Sequence, residues 1–99
     1  MSTRIVRLLG LGLRAGNVVI GVAGVRAALQ RGKVACVVLA DDVSRRTIEK
    51  VERLAAARRI PVLRGPAAED LGAGLGRPPV QAVAVTDPAL ARGLIADSR

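Results

Sequence analysis

Residues 34–40 (VACVVLA) form an unbroken apolar, largely β-branched run, and a pair of carboxylates, Asp41 and Asp42, ends it. A segment of this pattern is a strand covered on both faces. The chain must therefore supply helices to either side of a sheet, because an apolar strand cannot leave a face in water.

The flanking sequence supplies them. Ile5, Leu8, Leu9 and Leu13 make the apolar stripe of a first helix, with Thr3 positioned as its cap and a stop near Ala15 and Gly16. Arg4, Arg7 and Arg14 share its opposite face. Residues 17–20 read as a short strand, and residues 21–31 as a second helix that buries Val25, Ala28 and Leu29 before Gly32 stops it. Ser44 caps a third helix with Ile48, Val51, Leu54 and Ala55 inward and Arg58 and Arg59 in its last turn, ended by Pro61. Residues 61–63 start a strand. Pro66 opens a fourth helix with Leu71 and Leu75 inward and Gly76 as its stop, and Arg77, Pro78 and Pro79 form a rigid loop. Residues 80–85 are a second buried strand, after which Asp87 caps, and Pro88 starts, a last helix through Leu90, Leu94 and Ile95. Helices and strands alternate without an internal repeat or a linker, which predicts a single α/β domain over residues 1–99 with helices on both faces of a small sheet.

Charge is distributed unevenly along this pattern. The first forty residues hold six cations and no acid, whereas residues 41–99 hold ten cations against eight acids. An excess of this kind is an electrostatic footprint for a polyanion. The complete absence of Phe, Tyr and Trp then narrows the class, because single-strand readers stack bases on aromatic side chains. Any nucleic acid bound here must be recognised through phosphates, backbone amides, arginine planes and shape, which suits a folded RNA.

Other chemistries find little support. With no His and one Cys, the chain cannot build a usual zinc site, a Ser-His-Asp triad, a Cys-His dyad or an internal disulfide, which fits a reducing, cytoplasmic setting. No apolar run approaches the roughly 18 residues of a membrane span, and the N-terminus does not read as a signal peptide. Gly10-Leu11-Gly12 precedes Gly16 by one residue too many for the dinucleotide spacing and lies inside a helix, so these glycines read as sites of close helix packing. Gly32-Lys33 resembles half a phosphate loop, but Val34 stands where Ser or Thr is required. Asp41 and Asp42, at the end of a buried strand, are placed to hold Mg²⁺ for phosphoryl chemistry; the commoner role for Asp there is capping and loop hydrogen bonding. Cys36 reads as an inert core thiol. The mixed charges of the third helix read as a solvated face. Arg26, Arg31 and Lys33 differ, because no carboxylate lies near them in sequence and their helix begins at a glycine, where free N–H groups favour phosphate.

The segments RLLGLGLRAGNVVIGVAGVRAALQRGKVACVVLADDVS and LGAGLGRPPVQAVAVTD resemble the kink-turn RNA-binding superfamily of ribosomal proteins, the large-subunit L-seven-Ae and L-thirty-e proteins, and most of all its small bacterial YlxQ-like branch. The resemblance spans nearly the whole chain. It implies a three-layer α-β-α sandwich around a four-stranded mixed sheet, and a non-enzymatic, cofactor-free protein that binds structured RNA. It further implies contacts from the start of the second helix and from the loop before the last strand, which places the superfamily's glycine on Gly21, its distal basic residue on Arg31 and its second RNA-facing loop on Arg77, Pro78, Pro79 and Val80. The superfamily's Asn, Glu or Gln, and Lys fall on Ala23, Gly24 and Ala27, which predicts weakened kink-turn specificity. Filling Gly24 is expected to stiffen the helix as well.

The candidate interface is therefore Gly21, Ala23, Gly24, Arg26, Ala27, Arg31, Lys33, Arg77, Pro78 and Pro79. The leading expectation is a ribosome- or translation-associated accessory protein whose partner is rRNA or another kink-turn-like RNA, with no membrane and no small-molecule substrate. A protein-interaction module on the same fold is the alternative, and a small phosphotransfer enzyme using Asp41 and Asp42 comes last.

Overall fold

Residues 3–98 are described by the computed structural model, in which five helices alternate with four strands. The order is α1 (Thr3–Arg14), β1 (Val18–Ile20), α2 (Val22–Arg31), β2 (Cys36–Leu39), α3 (Arg45–Ala57), β3 (Val62–Arg64), α4 (Ala68–Gly74), β4 (Ala82–Val85) and α5 (Pro88–Asp97). The strands form one mixed sheet in the order β1-β4-β2-β3. β2 and β3 are parallel, and β4 runs antiparallel to both of its neighbours, β1 and β2.

The two strands with unbroken apolar sequence take the two central places. Every residue of β2 and of β4 is buried, whereas β1 is half-buried and β3 is half-buried until its exposed last residue, Arg64. On one side α2 packs on β1 and β4 and against α3; on the other, α1 packs on β1 and against α4 and α5, with α5 on β4. This is the expected three-layer sandwich. Ile5, Leu9, Leu71 and Leu94 fill the core from the second group of helices, and Val25, Leu29 and Val51 from the first. Of the three glycines read as close helix packing only Gly12 is one, since a Cβ there would run into Leu90 of α5. A Cβ on Gly10 would meet only Gly74 O at 3.8 Å, and Gly16 lies past the end of α1 with φ 77° and nothing within 4 Å of an added Cβ.

Local signals mostly hold. Ser44 Oγ accepts a hydrogen bond from Thr47 N at 3.2 Å, and Asp87 Oδ2 one from Leu90 N at 3.0 Å. The expected Thr3 side-chain cap lies outside the described side chains. Strand ends are shorter than their apolar runs, because residues 34 and 80 are buried in connections without joining the ladder. Pro66 stands two residues before α4, and Ala67 takes the cap position.

The end of α3 departs from expectation. The helix stops at Ala57, Arg58 is its C-cap, and Arg59 has a left-handed φ of 57°. Arg59 N donates to Ala56 O at 3.1 Å and Ile60 N to Ala55 O at 2.9 Å, the paired bonds of a Schellman stop. That position favours glycine, and the sequence offers none there.

Candidate nucleic-acid interface

β1, β2 and β3 run in one direction and β4 in the other, so three strand ends and the start of β4 meet at one edge of the sheet. Gly21 N donates to Ala82 O at 2.8 Å, Ala40 N to Gln81 O at 2.9 Å and Gly65 N to Leu39 O at 2.7 Å. These bonds tie together the start of α2, the turn after β2, the end of β3 and the loop that carries Arg77. Carboxyl ends of strands are where α/β sheets gather ligands.

Gly21 turns the chain from β1 into α2 with φ 100° and ψ 149°, a conformation costly for any residue with a Cβ. It also brings no side chain to cap the helix. The amides of Val22, Ala23 and Gly24 therefore have neither an intrahelical acceptor nor a local cap, and they give this edge the positive end of the helix dipole. Ala23 is exposed, with Gly24 and Ala27 half-buried on the same helix. Gly24 does not have the room expected of it, because an added Cβ would stand 2.8 Å from Val19 Cγ1. Filling it strains the contact with β1 instead of simply stiffening α2.

Arg77, Pro78 and Pro79 are exposed in the connection that leads into β4, whose first residue, Ala82, accepts the bond from Gly21 N. Two bonds anchor them: Arg77 N to Gly72 O at 2.9 Å and Val80 N to Ala68 O at 3.0 Å. Gly72 makes the approach possible, since a Cβ there would meet the Pro78 carbonyl and lie 2.9 Å from Pro79 Cα. In the sequence Gly72 stands within the segment LGAGLGRPPVQAVAVTD that carries the resemblance, but nothing there gives it this packing role. The exposed Arg45 and Arg46, at the start of α3, and Arg64, whose Nη2 reaches Asp41 O at 3.4 Å, stand at the same edge. Their placement follows from strand direction, which is the signal that points to them.

Arg26 lies on the exposed face of α2, one turn in. Arg31 and Lys33 lie elsewhere: ten residues of helix separate the ends of α2, about 15 Å at 1.5 Å per residue. They sit where Ala35 N meets Val85 O, at the opposite edge of the sheet. The ten candidate residues thus divide between a glycine-and-loop edge and a distal basic end, with Arg26 and Ala27 between.

Asp42 Oδ1 accepts from Ala68 N at 2.8 Å and so caps α4 across the loop. Among the described residues no group of three His, Cys, Asp or Glu side chains comes close enough to hold a metal ion. Cys36 is fully buried in β2, and desolvation pushes its thiol up to about 11. No helix among the described residues is long and apolar enough to cross a membrane.

No curated protein matches the chain. Among solved structures it is similar to a protein of unknown function from Bacillus halodurans, with 29% identity, a TM-score of 0.90 and 96% of each chain covered. The model of the ribosomal protein L7Ae/L30e/S12e/Gadd45 family matches residues 3–95, nearly the full length and both halves of the interface. A match of that extent to a ribosomal-type, RNA-binding family, on a mixed sheet flanked by helices, means that the chain belongs to the L7Ae/L30e/S12e/Gadd45 family.

Proposed function

We propose that the protein is a non-enzymatic, ribosome- or translation-associated binder of structured RNA, of the small bacterial YlxQ-like type and cytoplasmic, with weak selectivity for kink-turns. The RNA lies across the edge formed by Gly21, Ala23 and Gly24 and by Arg77, Pro78 and Pro79, with Arg26 and Ala27 along its flank. The observation that supports this reading is the juxtaposition of the uncapped start of α2 with the proline-stiffened loop, joined through the 2.8 Å bond from Gly21 N to Ala82 O. Amides and arginines there hold phosphates, while the helix positions that would meet base edges, Ala23, Gly24 and Ala27, carry no polar group.

Binding of a kink-turn RNA and of a plain hairpin of equal charge, followed over a range of salt, tests the reading. With about four phosphates neutralised, log K falls against log salt with a slope of roughly −3 to −4, and nearly equally for both RNAs. A flat response would end the RNA reading and favour a protein-interaction module. A preference of about a hundredfold for the kink-turn, roughly 2.7 kcal/mol, would show that the helix positions without polar groups are not where bases are read.

A further inference from the structure

We propose that the ends of α2 and α3 form a second phosphate-binding surface, on the edge of the sheet opposite Gly21, through which one molecule bridges two RNA segments. The inference rests on RNA binding at the first edge. Helices α2 and α3 pack in parallel, so they end together: Arg58 Nη2 donates to Gln30 O at 2.6 Å, and its Nη1 lies 3.1 Å from where a Cβ on Gly32 would stand. Arg31 and Lys33 flank Gly32, and Arg59 follows Arg58. All four cations are exposed. The nearest acids do not cancel them, for Glu52 is six residues back on α3, and Asp87 belongs to the other layer with its carboxylate on Leu90 N. Two helix C-termini contribute about half a negative charge each, which leaves the cluster at roughly +3.

The backbone adds an independent observation. Helix α2 ends on Gly32 with φ 78°, the residue such a stop favours, whereas α3 places Arg59 in the same left-handed region with φ 57°. Arginine there is less favourable than glycine, and backbone strain of this kind gathers where a side chain is needed. Phosphate suits the patch better than protein does. Guanidinium forks match phosphate oxygens, and the one large hydrophobic residue exposed among the described residues, Leu11, lies on α1.

The test uses the full chain, one RNA hairpin fixed to beads and a second, dye-labelled hairpin in solution. Wild type captures the labelled hairpin. The Arg58→Gln/Arg59→Gly double variant retains the protein on the bead-bound RNA to within about twofold but captures at least about fivefold less of the second, as expected when two of four phosphate contacts go. Arg59→Gly alone melts at the same temperature as wild type or higher, and retention of the double variant on the beads shows that it is folded despite losing the Arg58 bond to Gln30 O, so lost capture is not lost folding. Unchanged capture by the double variant, or none by a wild type that is held on the beads, overturns this inference while leaving the first edge intact. Absence of protein from the beads overturns both. Displacement of the second hairpin by polyglutamate, with the variant losing the peptide as well, would reassign the surface to an acidic protein and overturn the RNA assignment.

Discussion

A methyl group on Gly72 would lie 2.8 Å from the Pro78 carbonyl carbon and 2.9 Å from Pro79 Cα, and backbone on both sides cannot swing away as a side chain can. Gly72→Ala is therefore expected to cost about 1–3 kcal/mol in urea denaturation and, in protein that is still folded, to weaken RNA binding by displacing the loop. Gly10 provides the contrast, since its added Cβ meets only Gly74 O at 3.8 Å. Gly10→Ala is expected to stabilise α1 by about 0.5–1 kcal/mol; equal effects at the two glycines would refute the account of the loop. Cys36 is a quieter case. Its folded thiol titrates near 11 against a reference of 9.0, so the folded state holds the proton more tightly. Stability from this group is fully present below pH 9 and is lost as pH rises towards 11, with a ceiling of about 3 kcal/mol for two pH units. Chemical denaturation of wild type and Cys36→Ala across pH 8 to 11 measures it, and parallel curves for the two proteins would contradict the assigned cause.

Among the elements, α2 is the one on which the proposed selectivity turns. Ala23 and Ala27 lie one turn apart on its open side, so Ala23→Asn with Ala27→Lys is expected to create a kink-turn preference of about 1–3 kcal/mol, read as the affinity ratio between kink-turn and hairpin. Adding Gly24→Glu is expected to cost stability, because of the 2.8 Å approach to Val19. A double variant that binds both RNAs alike would remove α2 as the reader of bases. Much of the framework was legible from side chains that state their own role: the apolar runs of β2 and β4 demand the centre of the sheet, and Ser44 and Asp87 are helix caps by chemistry. Gly21 as a helix-opening glycine and Pro78-Pro79 as a rigid loop were legible in the same way, whereas their joint place at one RNA-facing edge was implied only by the resemblance. Arg59 was illegible because it contradicts the residue preference that serves as the signal, and its position looks like an ordinary cationic last turn. The separation of Arg31 and Lys33 from Arg77 was illegible for another reason. It depends on β4 running against β1 and β2, which local spacing does not encode.

For the whole molecule, the charge of +8 and the distribution of its cations over both ends of the sheet make self-repulsion the main electrostatic term away from RNA. Melting temperature is therefore expected to rise as sodium chloride goes from 10 to 300 mM, the range over which RNA affinity falls; a falling melting temperature would mean that attractive surface pairs outweigh the repulsion. The order of strands has a consequence for synthesis. Among the described strands β4, residues 82–85, is made last, yet it stands between β1 and β2 and is the one described strand that pairs with β1. While the first eighty residues emerge, β2 and β3 can pair and α3 can cover them, but β1 has nothing to lie against. The edge that joins Gly21 to Ala82 thus comes into being only once β4 has been made.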